Sequence, residues 1–271
     1  MSKMILITGS TDGIGKLAAI KLAKDGHYIY LHGRNPEKLD NVISEVKQAS
    51  NNENIDGFVA DFSDLKAVKI MATAIKAKLS KIDVLINNAG IFKSPVDKTE
   101  DGLEIRFAVN YFAPFILTKA VLPLLEKGTD SLIINLSSAA QSTVILDALN
   151  GQAVVIESEA YAQSKQALTM WSFDLAKQHN KVAVIAVNPG SLLNTRMVAE
   201  AYGQHWAPAD KGATILYDLA VSGEYKGITG KYFDNDKGNP KGTFGPAHSD
   251  AYDANKTMKL IQQTEEIVND L

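Results

Sequence analysis

The sequence predicts a single α/β domain, a doubly wound and mainly parallel sheet with helices on both faces. Three observations carry that expectation. Short, near-continuous apolar runs rich in β-branched residues recur along the 271-residue chain, as strands covered on both faces require. Longer segments with helical spacing separate them, and this alternation is the pattern of βαβ units joined by right-handed crossovers. The composition, 45% hydrophobic and 22% charged, is that of a folded globular chain.

The elements follow in order. Strands are expected at Met4–Thr8, Tyr28–His32, Gly57–Ala60, Val84–Asn87, Leu132–Leu136 and Val182–Val187, with a last one at Lys231-Tyr232-Phe233. A helix over Lys16–Lys24 follows the first strand. Asn35-Pro36 opens the next, a capping residue followed by proline where its missing N–H costs nothing. Ser63 is the expected cap of a helix over Asp64–Leu79, in which Leu65, Val68, Met71, Ile75 and Leu79 form the apolar stripe. The stretch Gly223–Pro246, rich in Gly, Pro, Asn and Asp, reads as loops around the last strand. The tail Tyr252–Leu271 reads as helical (the region from about 250), with Met258, Ile261, Ile267 and Val268 as its buried stripe. No repeat or linker divides residues 1–271.

Composition excludes several function classes. With no cysteine there is no disulfide framework, zinc-thiolate site or cysteine nucleophile. His27, His32, His179, His205 and His248 lack metal-ligand spacing, so no metal is expected. A net charge of -3 argues against a general nucleic-acid binder. No apolar run reaches the roughly 18 residues expected of a membrane helix. Met1-Ser2-Lys3 passes directly into the first strand, leaving no room for a signal peptide. A cytoplasmic location is the resulting expectation.

Two constellations point to chemistry. The first strand runs into Gly9-Ser10-Thr11-Asp12-Gly13-Ile14-Gly15 and then a helix. Glycines there let backbone N–H groups approach a pyrophosphate, and the helix N-terminus favours its negative charge. A tight structural turn is the plainer alternative, but the strand-turn-helix context favours a dinucleotide. About 20 residues further, an acid would bind the ribose hydroxyls of NAD. This chain has His32-Gly33-Arg34 instead. Arg34 can pair with a 2′-phosphate through its guanidinium fork, which predicts NADP(H) over NAD(H), unless Arg34 is simply a solvated side chain.

The second constellation is Tyr161-Ala162-Gln163-Ser164-Lys165. Spacing of i and i+4 puts phenol and ammonium on one helix face. Such pairs also arise by chance on surfaces. Here the preceding strand ends in Ser137-Ser138, and strand C-termini are where ligands sit in open α/β sheets. A phenol can protonate the alkoxide that forms when a carbonyl accepts hydride. A neighbouring lysine cation is expected to lower the phenol pKa from roughly 10, and a serine hydroxyl can orient the substrate oxygen.

These residues resemble the short-chain dehydrogenases/reductases. Thr8–Gly15 matches the family's T-G-x-x-x-G-x-G, Asn87-Asn88-Ala89-Gly90 its N-N-A-G, Ser138 with Tyr161 and Lys165 its serine and Y-x-x-x-K, and Asn188-Pro189-Gly190 its N-P-G. The motifs occur in family order from Thr8 to Thr195. The resemblance implies a seven-stranded Rossmann sheet, hydride exchange between NAD(P)(H) and a small carbonyl or alcohol substrate, and a homodimer or homotetramer. It assigns catalysis to Asn110, Ser138, Tyr161 and Lys165, with Asn110 anchoring a proton-relay water and Ser137 the alternative serine. It assigns cofactor contacts to Gly9, Ser10, Thr11, Gly13, Ile14, Gly15 and Arg34. Further contacts fall to Asp61 at the adenine, to Phe62, to Asn88, Ala89 and Gly90, to Tyr161 and Lys165, to Pro189, Gly190 and Leu192, and to Thr195 by the nicotinamide or phosphate.

One departure is about ten additional residues between Ser138 and Tyr161. It places an insertion in Ala139–Ala160, similar to the retinol-dehydrogenase-like branch. In the insertion, Val144, Ile145, Leu149, Val154, Val155 and Ile156 read equally as core or as substrate cover. The substrate loop falls at about 191–210, where Leu192, Leu193, Met197, Tyr202 and Trp206 form either an apolar lid, favouring a hydrophobic aldehyde or ketone, or ordinary packing. The alternatives to an oxidoreductase are a non-catalytic NADP(H) sensor, which would need no Tyr161 proton chemistry, and a sugar-nucleotide epimerase, which usually has another glycine spacing.

Overall fold

A computed structural model describes residues 2–238 and 241–271. Met1, Asn239 and Pro240, which fall in the N-terminal and loop readings above, lie outside the described residues. The strands are β1 Met4–Ile7, β2 Tyr28–Gly33, β3 Ile55–Val59, β4 Val84–Asn87, β5 Leu132–Leu136, β6 Ala183–Asn188, β7 Lys231–Asp234 and β8 Thr243–Gly245. They form one sheet in the order β3-β2-β1-β4-β5-β6-β7-β8. All neighbours pair parallel except β7 with β8. The seven expected strands are present, and β8 is an eighth. It adds an antiparallel edge, opposing Phe244 to Phe233, and the two rings meet edge-on with centroids 5.1 Å apart.

Alternate residues of each strand serve opposite cores. Ile5 and Ile7 of β1 pack with the helices α1 Gly13–Lys24, α2 Pro36–Ser50 and α9 Ala209–Val221. Leu6 faces the other way, toward α3 Leu65–Lys78, α5 Ala113–Leu125 and α7 Glu157–Gln178. All three β1 residues are fully buried, as a parallel sheet between helical layers requires. A reversal of winding occurs between β1 and β4, and a crevice opens there at the strands' C-terminal ends.

Several expectations are corrected. Asp64, not Ser63, caps α3, accepting from the Lys66 and Ala67 N–H groups. Ser63 is instead engaged by Asp61, whose Oδ1 accepts from its N and Oγ. The helix after the glycine turn begins at Gly13 rather than Lys16. A helical run long and apolar enough to cross a membrane does exist, over Ile105–Leu125. It comprises α4 Ile105–Phe107, a π turn over Ala108–Phe112 and α5. In this fold it is a core helix, 78% buried. The last helix, α10 Ala254–Asp270, buries Thr257, Leu260 and Thr264, while Met258 is exposed. Ile261, Ile267 and Val268 flank that stripe.

Candidate active site

The crevice is a cleft of about 910 Å³. Its first wall is the turn between β1 and α1, where Gly9 has φ +61 and a Cβ would lie 2.6 Å from the Ala89 Cα. That closeness is fixed by Thr8, whose Oγ1 accepts from the Asn88 and Ala89 N–H groups, each at 3.0 Å. The Asn88 amide returns the contact, donating to the carbonyls of Thr8 and Gly9 at 2.8 Å. The turn thus keeps its backbone open toward the cleft at a helix start, an arrangement suited to a diphosphate.

His32 braces this turn from beneath. Its Nδ1 accepts from the Gly9 N–H at 3.0 Å and its Nε2 faces the Ala60 carbonyl at 3.0 Å, which sets the tautomer with the proton on Nε2. The ring stacks on Phe62 at 4.2 Å. Burial pushes the imidazole down to about 4, against smaller opposing effects of the Ala60 bond and Asp61. The folded chain therefore binds this proton less readily than the unfolded one. Stability is expected to rise with pH between about 4 and 6.5 and to be lost as pH falls through that window. The loss should amount to roughly 3 kcal/mol. Denaturant melts of wild type and His32→Asn at pH 7 and 4.5 check this; parallel acid slopes would remove His32 as the cause.

Arg34, at the end of β2, is exposed and lines one end of the cleft, joined there by Lys38, which sequence reading did not single out. Lys38 also pairs with Asp12 at 3.1 Å. Thr11, Gly13, Ile14, Asp61, Phe62, Asn88, Ala89, Gly90, Pro189, Gly190 and Thr195 line the same cleft. Four predicted site residues do not line it: Ser10, Gly15, Leu192 and Asn110. Ser10 is buried, its Oγ donating to the Ile7 carbonyl and accepting from the His32 N–H. Gly15 packs under Asn88, where a Cβ would lie 2.5 Å from the amide nitrogen. Leu192 has φ 45, and its neighbour Leu193 is the residue buried beneath the loop.

The other wall carries Ser138, Tyr161 and Lys165. Tyr161 and Lys165 lie one turn apart on α7, and the Lys165 Nζ is 5.7 Å from the Tyr161 ring centre. Ser138, not Ser137, meets the phenol. Ser137 is buried and bonds the Lys165 carbonyl and Thr169. The Ser138 carbonyl is held by the Tyr232 hydroxyl at 2.9 Å and the Gln141 amide at 2.8 Å.

The electrostatics revise one expectation. The Tyr161 ring is partly exposed along the cleft, yet desolvation of the phenol raises its pKa, and the Ser138 hydrogen bond offsets part of the rise. The net direction is therefore upward, opposite to the lowering expected from the lysine cation, because burial outweighs the opposing contributions. Burial pushes the Lys165 ammonium down to about 8, and its Nζ donates to the Leu136 carbonyl at 2.8 Å.

Asn110 sits in the π turn, fully buried. Its Oδ1 accepts from the Ile91 N–H and its Nδ2 donates to the Ile91 carbonyl and Ser164 Oγ. It joins the loop after β4 to α7 and lies beside Lys165, since a Cβ at Gly90 would meet both. Single π turns of this kind inside α-helices are frequent at functional sites.

A sequence model of the short chain dehydrogenase family matches residues 3–205. The chain belongs to the short-chain dehydrogenase/reductase family. It is 32% identical over 247 residues to retinol dehydrogenase 12 of Mus musculus, covering 87% of this chain and 78% of that one. A Streptomyces sp. (strain C5) protein assigned as a daunorubicin C-13 ketoreductase is 31% identical over 277 residues, covering 99% and 93%. Among solved structures, one from Escherichia coli CFT073 assigned to the short-chain dehydrogenases and complexed with NADPH is 27% identical. It superposes with a TM-score of 0.71 over 86% of this chain and 95% of that chain. This member of the family is thus an oxidoreductase acting between CH–OH and C=O groups.

Signals that sequence reading missed in this dehydrogenase/reductase lie at residues that hold others. Asp236, in the loop after β7, accepts from the Ser191 N–H at 3.0 Å and the Asn188 amide at 2.9 Å. Burial would raise its carboxyl, but those bonds and Lys211 hold it below the ordinary value. It pins the Pro189-Gly190 turn from a distant loop, and no local pattern marks it. In the insertion, Leu149 is buried at the end of the short helix α6 Leu146–Leu149, Val144 and Val155 pack on the core, and Ile145, Val154 and Ile156 are exposed. In the substrate loop Met197 lines the cleft, while Tyr202 and Trp206 are exposed on the short helix α8 Arg196–Tyr202 and just past it.

Proposed function

We propose that this short-chain dehydrogenase/reductase uses NADP(H) in preference to NAD(H), acts on a hydrophobic aldehyde or ketone or the corresponding alcohol, and uses Tyr161 as its general acid/base. The observation that carries this reading is the convergence of Ser138, Tyr161 and Lys165 on one wall of the cleft whose other wall is the glycine turn. The Gly9–Ile14 turn would hold the diphosphate and Arg34 with Lys38 the 2′-phosphate. Asp61 and Phe62 would meet the adenine, Lys165 the ribose, and the Pro189–Thr195 segment the nicotinamide. Loops this close at Gly9 and Gly33, where a Cβ would come within 2.6 Å of Ala89 and 2.5 Å of Thr11, fit a ligand that contacts backbone.

When bound, the dinucleotide supplies or accepts the hydride. The chain's own part is to hold and move a proton. With an ordinary value of about 10, the Tyr161 phenol is protonated at neutral pH, the state that can donate to a developing alkoxide. Ser138 orients the substrate oxygen against that phenol. The Lys165 ammonium, buried behind the tyrosine, stabilises negative charge as it develops on the phenol oxygen. Apolar side chains that line the cleft, Ile91, Phe92, Val109 and Met197, favour a non-polar substrate body.

Turnover of aliphatic, aromatic and dicarbonyl compounds with NADPH and with NADH tests the reading. Arg34→Ala is expected to weaken NADPH about 10- to 100-fold, the scale of one or two charge-assisted hydrogen bonds, and to leave NADH unchanged. An unaltered ratio of the two affinities would leave Arg34 a solvated side chain. Tight NADPH binding with no turnover of any carbonyl would favour the sensor.

A further inference from the structure

Arg106 is a buried guanidinium, its side chain 3% exposed, with three nitrogens bonded to three different segments. Its Nε donates to the Phe92 carbonyl at 2.8 Å, in the loop after β4. Its Nη1 donates to Glu104 at 2.6 Å and its Nη2 to Glu157, in the first turn of α7, at 2.7 Å. Glu104 is itself fixed, since its Oε2 accepts from the N–H groups of Arg106 and Phe107. Burying such a charge is unfavourable, and apolar side chains of the same volume fill a core as well. What this network supplies instead is a fixed geometry.

That geometry lies at the candidate site. The Phe92 ring is 4.8 Å from that of Tyr161 and 5.5 Å from that of Tyr202. Glu157 lies one helical turn before Tyr161 on the same helix. One arginine therefore ties an aromatic wall and the start of the tyrosine's helix to a single planar group, whose fork fixes distance and angle together. We propose that Arg106 is a positioning residue. Acting through Phe92 and Glu157, it sets the Phe92 ring against the Tyr161 phenol and so defines the wall on which the non-polar body of a carbonyl substrate rests. This inference rests on the reading of Tyr161 as proton donor, and it concerns the substrate side of the cleft alone.

The test uses Arg106→Met and Glu157→Gln with 4-nitrobenzaldehyde and with propanal, which is too small to lie along the Phe92 ring. KM for 4-nitrobenzaldehyde is expected to rise about tenfold in Arg106→Met and about threefold in Glu157→Gln, as lost substrate contact does. KM for propanal and Kd for NADPH should stay within about twofold. Equal losses with both aldehydes, weakened NADPH binding, or no change at all would overturn the assignment. Should Arg106→Met fail to fold, Glu157→Gln decides alone, because Glu157 is 38% exposed and the amide keeps its volume. If wild type turns over neither aldehyde, the proposed function fails separately. Hydrogen exchange of residues 92–97 in Glu157→Gln then decides the clamp: faster exchange supports it and unchanged exchange overturns it.

Discussion

Tyr161→Phe is expected to lower carbonyl turnover by about 10²- to 10⁴-fold, the usual contribution of a positioned proton donor, with NADPH affinity held within about twofold. The substitution removes one oxygen and keeps the ring. Its packing on Phe92, with centroids at 4.8 Å, is retained, and so is the helix that carries Lys165. What is lost is the phenol that Ser138 meets. Steady-state rates give the first quantity and fluorescence titration with NADPH the second. A variant that keeps its kcat within about threefold would place the proton donor elsewhere, since a loss of only about 0.7 kcal/mol is too small for general acid catalysis.

The second large effect is expected at Gly9. Alanine there must adopt φ +61 and place its Cβ 2.6 Å from the Ala89 Cα. The backbone conformation alone costs roughly 1–3 kcal/mol. The overlap cannot relax by a side-chain rotation, because the facing atom is main chain. Thr8 and Asn88 latch the two loops together, so parting them breaks those bonds as well. NADPH affinity should fall by more than about 100-fold, or roughly 2.7 kcal/mol, with a lower melting temperature. Gly26→Ala is the control: its φ is also positive, at +76, but a Cβ meets nothing within 4 Å. It should lose some stability and no NADPH affinity. If Gly9→Ala binds NADPH within about threefold of wild type, the two loops have slack that their hydrogen bonds do not suggest.

Much of this could be read in the sequence because its determinants are local. The parallel strands are short apolar runs, and β4 and β5 occupy the expected residues. The glycine turn, the Asn-Asn-Ala-Gly segment and the Tyr-x-x-x-Lys pair are contiguous or one helical turn apart. What was not legible depends on partners far along the chain. β8 is three residues, the last of them a glycine, without an apolar run, and exists because Phe244 finds Phe233 and Tyr225. Asp64 and Ser63 are adjacent and equally able to cap. Only the bond from Ser63 to Asp61 decides between them. The helix Ile105–Leu125 did not read as one apolar span because Arg106 and Asn110 interrupt it, and both are buried polar groups with partners in other segments. The direction in which the Tyr161 pKa moves is likewise set by burial, and spacing says nothing of burial.

The antiparallel β8 also governs how the sheet meets other molecules. Were β7 outermost, Lys231–Asp234 would present an open row of N–H and C=O groups, a template on which a foreign strand can add. The aromatic faces of Phe233 and Tyr225 would lie beside it. β8 takes up that row and offers three residues in its place, followed directly by Pro246, which has no N–H to extend a ladder. The same strand that closes the aromatic cluster thus shortens this one of the sheet's two edges for intermolecular pairing, the other being β3. On this side, protection from fibril-like growth resides in residues remote from the chemistry.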